Sequence, residues 1–254
     1  INMVTKAGKG PMNGGAFTEL GTRLQTNSGG YVRGSIGRID TDFTGAFTYS
    51  PNDTVVPARF WPPNGFVDPD PYRNVTVAGR LGFQIDDNSR INYFGRFIDT
   101  QVKYDQIDLE DPNAGGFTQQ FFNRVEFEGN YFDGRWKPTI GFNYSTIYRH
   151  DQDFPSLQNP FPFTQDAYYN GRRLAVDFKN QINMADNVMA LLGVDYERSW
   201  AYSNVDGEQG WGTMAQTGLY AQLKATVFED LTLSLGGRLD LNDTFGTVST
   251  WRAG

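Results

Sequence analysis

The sequence predicts an all-β chain that forms an antiparallel transmembrane β-barrel. Apolar and polar residues alternate along nearly all of its 254 residues, with the period of two that is typical of β-strands. The connections between these segments are short and long in turn. No run of about 18 or more apolar residues occurs, which excludes membrane-spanning helices. An apolar outside, a polar inside and long loops at one end only are what a membrane barrel requires.

The alternation is clearest in the last full hairpin. Its apolar positions are Leu219, Ala221, Leu223, Ala225 and Val227, followed by Leu231, Leu233, Leu235, Leu239 and Leu241. The positions between them carry polar or charged side chains such as Lys224 and Arg238. We expect the leucine row to contact lipid and the polar row to line the lumen, because a slip of one residue in register would exchange the two faces.

The pattern predicts about eleven strands and a twelfth that begins around residues 250–252. The strands are expected near 14–24, 30–39, 43–50, 74–85, 90–104, 121–132, 136–149, 171–183, 188–203, 213–228 and 231–241. Open edges of a membrane-spanning sheet leave backbone groups unpaired in lipid. We therefore expect either closure at about twelve strands or a longer native protein, and the end of the sequence inside a strand favours the second.

The turns and loops predict which end of the barrel faces which compartment. Short turns rich in Asp, Asn and Gly are expected at 86–89, 132–134, 185–187 and 229–230. Long connections are expected at 51–73, 105–120, 150–170 and 203–212. Outer-membrane barrels have short turns in the periplasm and long loops outside, so the long connections are assigned to the extracellular surface.

Composition narrows the functional class. The net charge of -7 and the pI near 4.7 argue against a nucleic-acid partner, which would call for a basic patch. The absence of cysteine suits a protein that crosses an oxidising periplasm unfolded. The sequence opens with Ile1 and has no signal peptide, so we expect that its start was removed or never included.

The residues predict no catalytic site. His150 is the only histidine, and Ser145 is the nucleophile to be tested beside it. The two residues are five positions apart on one strand, so their side chains are expected on opposite faces of the sheet. No Gly-x-Ser-x-Gly elbow occurs either. We interpret His150 as a solvated loop residue and expect that the chain is not an enzyme.

Two regions resemble a known family. The sequence INMVTK at residues 1–6, followed by a glycine-rich segment to Gly15, resembles the end of the plug domain in TonB-dependent outer-membrane receptors. The sequences GGRLD at 236–240, NDTFG at 242–246 and TWR at 250–252 resemble a mid-barrel hairpin of the same family. The resemblance implies a barrel of 22 strands, in which residues 1–13 end the plug and residues 14–254 form the N-terminal half of the barrel.

The resemblance also implies partners and a location. The protein would lie in the outer membrane of a Gram-negative bacterium, in contact with outer-membrane lipid. It would import a small metal-chelate substrate by energised transport, driven by TonB through a region upstream of Ile1. Within the family, NVMALLGVDY at 187–196 and QTGLY at 216–220 are most similar to cobalamin receptors, so cobalamin is the expected cargo. The alternatives are a siderophore (iron chelate) receptor, a passive porin-like channel, and a soluble β-sandwich binding module that the outward leucine rows disfavour.

Aromatic residues crowd the expected long loops and are candidates for substrate contact. They are Phe60, Trp61, Phe66, Phe161 and Phe163. A rigid aromatic ring is an efficient anchor for a ligand. The alternative interpretation is an aromatic girdle at the outer membrane interface, which Tyr168 and Tyr169 fit because they come just before a strand.

Acidic residues in two of these loops are candidates for a calcium site. They are Asp68, Asp70, Asp105 and Asp108. Calcium takes six to eight oxygen ligands, which carboxylates on adjacent loops can supply. The arrangement resembles the Asp-rich, calcium-binding loops of cobalamin receptors, although Pro69 and Pro71 depart from that family's loop. Solvated acidic surface is the alternative.

Overall fold

The computed structural model describes residues 8–51, 59, 69–105, 113–157, 160–162, 166–228 and 231–254. This part of the chain forms twelve strands, with one turn of 3-10 helix at Thr22–Leu24. The strands are β1 (Asn13–Leu20), β2 (Thr26–Ile36), β3 (Ile39–Ser50), β4 (Tyr72–Asp86), β5 (Ser89–Lys103), β6 (Gly115–Gly129), β7 (Trp136–Gln152), β8 (Asp166–Ala185), β9 (Val188–Val205), β10 (Glu208–Phe228), β11 (Leu231–Asn242) and β12 (Gly246–Ala253). Among these residues, no helix is long and apolar enough to span a membrane.

The strands form one antiparallel sheet in which each pairs with its neighbours in sequence, in the order β1 to β12. At one end the connections are short, as at 37–38, 87–88 and 186–187. At the other end lie the longer connections 51–71, 104–114 and 153–165. The predicted fold class is confirmed, and three of the four predicted long connections are present. Within the described residues, β1 and β12 each pair on one side only.

One predicted long connection is wrong. Residues 203–212 do not form an extracellular loop, because β9 continues to Val205 and β10 begins at Glu208. Asp206 and Gly207 make a two-residue turn in which both have positive φ angles, 51° and 94°. This conformation is the one that Asp-Gly hairpin turns favour. The segment is polar and contains several glycines, but the Asp-Gly pair determines its structure.

The apolar side chains point away from the sheet instead of into a core. Only Ala114 and Ala167 are fully buried hydrophobic residues among those described. The predicted leucine row is exposed, with Leu233 at 50% and Leu235 at 61%. The register places Leu219 opposite Leu239 on this outer face. An apolar face this extensive requires a bilayer rather than water as its surroundings.

We predict that Leu233 and Leu235 contact lipid while Ser234 faces the lumen. Spin labels on single cysteine substitutions should report the bilayer at the two leucine positions and water at Ser234. Labels at Leu233 or Leu235 that report water would overturn the assignment. Leu235→Arg should lower the free energy of unfolding by about 2–4 kcal/mol if the position is near the bilayer midplane.

Candidate functional site on the inner face

The inner face of the sheet surrounds a concavity of about 620 Å³. Inner-face residues of the seven consecutive strands β2 to β8 line it, so the sheet must curve around this space. Five arginines are among the lining residues: Arg33, Arg80, Arg96, Arg124 and Arg173. Asp42 is the one carboxylate among them, and the rings of Tyr31, Phe94 and Phe122 complete the aromatic part of the wall. The wall is therefore rich in positive charge and aromatic surface.

Arg124 extends across one strand to reach the next. It lies on β6, and its two terminal nitrogens donate to both carboxylate oxygens of Asp177 on β8, at 2.6 and 3.0 Å. Its Nε also donates to Glu126 at 2.9 Å. The intervening strand β7 has Gly141 at the crossing point, where an added Cβ would overlap the guanidinium. The glycine thus makes room for a bidentate, charge-assisted pair.

The same arrangement recurs between β11 and β9. Arg238 donates from Nη1 and Nη2 to the two oxygens of Asp195, at 2.8 and 2.9 Å. Its Nε donates to Asp240 at 2.9 Å. Gly218 on β10 lies between the partners, and a Cβ there would overlap the Arg238 guanidinium.

A third example connects β5 to β3. Arg90 forms an ion pair with Asp40 across Gly82, where a Cβ would overlap the guanidinium. Asn92 is 1% exposed and accepts from Arg90 Nε at 2.8 Å and from Arg80 at 2.9 Å. It donates in turn to Glu128 on β6 at 2.9 Å. The network therefore extends over the four strands β3 to β6.

The three examples share one register, and we call them arginine bridges. In each bridge an aspartate, a glycine and a third polar residue are paired on three adjacent strands, and the arginine lies two residues before the third. The rows are Asp40–Gly82–Asn92 with Arg90, Asp177–Gly141–Glu126 with Arg124, and Asp195–Gly218–Asp240 with Arg238. The bridges thus connect β3 to β5, β6 to β8 and β9 to β11 along the inner face.

The remaining arginines of the concavity differ in their partners. Arg173 is paired with Glu197, and Arg80 lies 3.9 Å from Asp40. Arg33 and Arg96 have no ion pair with an acidic side chain among the described residues. The Arg33 guanidinium lies 3.9 Å from the centre of the Tyr31 ring. Arg33 and Arg96 are thus the lining arginines without an ion pair in the described part of the chain, and Asp42 on β3 lies opposite Arg33. Their charge can attract an anionic group.

Seven charged residues at polar positions of the strands take part in these networks: Arg80, Arg124, Glu126, Glu128, Asp177, Asp195 and Arg238. The sequence reasoning missed Asp40, because the strand was expected to begin at 43 whereas β3 begins at Ile39. The signal was present, since Ile39, Thr41 and Phe43 alternate with acidic residues. It also missed the glycines, whose role depends on the register of three strands.

Three of the predicted substrate and calcium residues are in the described part of the chain, at the end of the sheet with the long connections: Asp70, Asp105 and Phe161. Phe161 is 88% exposed in the segment 160–162. Asp70 precedes β4 and is 4% exposed, and Asp105 follows β5, so both flank the same end of one hairpin. The other candidates lie outside the described residues: Phe60, Trp61, Phe66, Phe163, Asp68 and Asp108. In the described part of the chain, no group of three or more acidic or histidine side chains could hold a metal ion. Both assignments stay predictions.

The interpretation of His150 as a solvated loop residue is wrong. It lies within β7, and its side chain is 11% exposed. Its Nε2 is 2.7 Å from Asp166 Oδ1, and its ring stacks on Tyr168 with the centres 3.9 Å apart. Phe117 packs against it from β6 at 5.6 Å. The neighbouring strands are longer than predicted and enclose the ring between them.

Ser145 and Tyr169 face the inner side of the sheet. Ser145 lines the concavity, so the prediction that it and His150 lie on opposite faces is confirmed. Tyr169 is paired with Arg149 and lies 5.9 Å from its guanidinium. Tyr168 therefore lies on the outer face, where a girdle is expected, and Tyr169 does not, because neighbouring residues of a strand alternate between faces.

Comparison with known proteins identifies the fold. No protein-family model and no curated protein matches the sequence. The ferric enterobactin receptor PfeA of Pseudomonas aeruginosa (G324V mutant) matches with a TM-score of 0.75 and 12% identity, over 98% of this chain and 42% of that one. The siderophore receptor PirA of Acinetobacter baumannii matches with a TM-score of 0.72 and 14% identity, over 97% of this chain and 41% of that one. The copper transporter OprC matches with a TM-score of 0.66 and 13% identity, over 99% of this chain and 42% of that one. The chain thus has the barrel fold of these proteins and spans less than half of their length.

We predict that Gly141→Ala breaks the bridge between Arg124 and Asp177. The free energy of unfolding in detergent micelles should fall by about 1–3 kcal/mol, because the Asp177 carboxylate loses its charged donor. Gly212→Ala is the matched control, since an added Cβ there meets only the Cβ of Ala201 at 4.0 Å.

The effect should also disappear when the bridge is already absent. In an Asp177→Asn background, Gly141→Ala should lower the free energy of unfolding much less than it does in the wild type. Such a difference in a double-mutant cycle shows that the two sites are coupled. Equal costs in the two backgrounds would show that the glycine does not act through the bridge.

Proposed function

We propose that this chain is part of a TonB-dependent receptor in the outer membrane of a Gram-negative bacterium, where it imports a metal chelate by energised transport and is not an enzyme. The observation that carries the proposal is a curved twelve-stranded sheet, apolar outside and rich in arginine inside, that matches the barrel of PfeA with a TM-score of 0.75. In this assignment the exposed leucine rows contact outer-membrane lipid.

The open edges of the sheet favour a larger barrel over a passive channel of twelve strands. Within the described residues, β1 is not paired with β12. Unpaired backbone groups in lipid cost several kcal/mol each, so further strands must cover both edges in a membrane. We propose a barrel of 22 strands, in which residues 14–254 form the N-terminal half and residues 1–13 end a plug domain.

The inner wall suits contact with a plug. The three arginine bridges hold their guanidinium groups against the backbone of the intervening strand, where each is paired with an aspartate of the wall. Such a wall can hold a plug through hydrogen bonds and still release it. The substrate would dock on the outer loops, and TonB would pull on the plug to open a path through the lumen.

The charge of the concavity favours an anionic cargo. Arg33 and Arg96 have no ion pair with an acidic side chain of the described residues, and aromatic rings line the same concavity. Two of the structural neighbours are described as receptors for ferric enterobactin and for a siderophore. We therefore propose an iron chelate of the siderophore type ahead of cobalamin, the cargo that the sequence resemblance implied.

We predict that the full-length protein transports only when the inner-membrane energy machinery is intact. Uptake of a radiolabelled iron chelate by cells should depend on both this receptor and TonB. The purified full-length protein should conduct few ions in a planar bilayer, because the plug fills the lumen. A large, constant conductance would contradict the importer and support the porin-like channel.

We also propose that calcium orders the outer loops through Asp68, Asp70, Asp105 and Asp108. Removal of calcium and the substitution Asp68→Asn should each weaken substrate binding about tenfold, because the ion would pre-organise Phe60 and Trp61. Substrate titration of the full-length receptor with and without a chelator measures this effect. The chelator should have no further effect on the Asp68→Asn variant. An unchanged affinity would show that calcium does not order the loop that contains Asp68, and the prolines of that loop would then be the source of its rigidity.

A further inference from the structure

A second group of arginines lies on the opposite, outer face of the sheet. Arg172 on β8 is paired with Trp200 on β9, and Arg198 on β9 is paired with Leu174 on β8. The two arginines are therefore diagonal neighbours on one face, with Cβ atoms about 7–8 Å apart. Both are exposed. Trp211 on β10 is 78% exposed and packs on Tyr202 of β9, with ring centres 4.4 Å apart.

This outer group lies at the upper border of the apolar band. Ala190, Leu192, Val194 and Tyr196 precede Arg198 on the same face of β9. From Ala190 to Trp200 the strand rises about 33 Å, which corresponds to a height of about 25 Å at a tilt of about 40°. That is the height of the lipid-facing band of a membrane barrel. The arginines and the aromatic rings thus lie where hydrocarbon gives way to lipid headgroups.

The charge of these arginines is not neutralised by the described part of the chain. The inner-face arginines of the bridges each bind an aspartate, whereas neither Arg172 nor Arg198 has an acidic partner there. The Arg198 guanidinium lies 5.2 Å from the centre of the Trp200 ring. The other ionisable pair on this face of β7 and β8 is His150 with Asp166, six residues or about 20 Å further along β8 from Arg172.

We propose that Arg172 and Arg198 bind the phosphates of a phosphorylated glycolipid headgroup in the outer leaflet, while Trp211 stacks on a sugar ring. Guanidinium groups bind phosphate oxygens in a bidentate manner. An exposed indole offers a flat apolar surface for the less polar face of a sugar. Both partners are available on one face, at headgroup height. The inference rests on the proposed outer-membrane location.

The test is a titration of the full-length receptor, purified in a mild detergent, with bis-phosphorylated lipid A. The variants are Arg172→Gln, Arg198→Gln and the double substitution. The control is Arg149→Gln, which removes a positive charge from the inner face, where Arg149 pairs with Asp151 at 2.6 Å. The double variant should bind about tenfold or more weakly, since it loses charge-assisted hydrogen bonds, and the control should bind like the wild type.

Two further measurements identify the ligand. Dephosphorylated lipid A should bind weakly to the wild type, with about the affinity that intact lipid A has for the double variant. Trp211→Ala should weaken the binding of intact lipid A by a smaller factor. Arg172→Lys with Arg198→Lys keeps both charges and should retain part of the affinity. Equal binding by wild type and double variant would overturn the inference, and so would complete competition by inorganic phosphate, which would indicate a site for the free anion.

The experiments distinguish failure of the lipid site from failure of the proposed function. A receptor that inserts into bilayers and imports its chelate but does not distinguish the double variant would refute the lipid site alone. A protein that fails to insert would refute the membrane assignment. Heat-dependent mobility on a gel shows for each variant that the barrel is folded.

Discussion

The inner wall depends on a steric condition: an arginine can bind an aspartate two strands away only where the strand between them has no side chain. Gly82, Gly141 and Gly218 meet this condition, each in register with the aspartate of its bridge. A slip of one residue in any of these strand pairs would move the aspartate to the lipid face. The bridges therefore favour the observed register as well as the polarity of the wall.

These polar networks replace the hydrophobic core of a soluble domain. The apolar residues lie on the outer face, where a bilayer rather than the protein removes them from water. Inside, buried polar groups such as Asn92 must find partners within the wall, and Asn92 does so through Arg80, Arg90 and Glu128. The sheet is thus stabilised by backbone pairing and side-chain hydrogen bonds within one layer.

Period-two alternation was sufficient to predict the strands, their faces and the inward direction of charges such as that of Arg238. It was insufficient wherever a strand continues beyond the apolar band, since polar residues there look like loop residues. His150 and the hairpin around Gly207 were misinterpreted for that reason. The bridges were not predictable, because they depend on which residues of three strands lie side by side. The aromatic and acidic candidates lie in loop segments, and the alternation pattern of strands does not predict the geometry of loops.

The spacing of the bridges divides the wall into panels. The strands β3–β5, β6–β8 and β9–β11 each hold one bridge, and the hydrogen bond from Asn92 to Glu128 joins the first panel to the second. Each guanidinium runs across the strands rather than along them, so it opposes sliding of one strand past the next. In the proposed importer, a wall braced in this way would keep its shape under a pull on the plug, so that the plug would move and the wall would not.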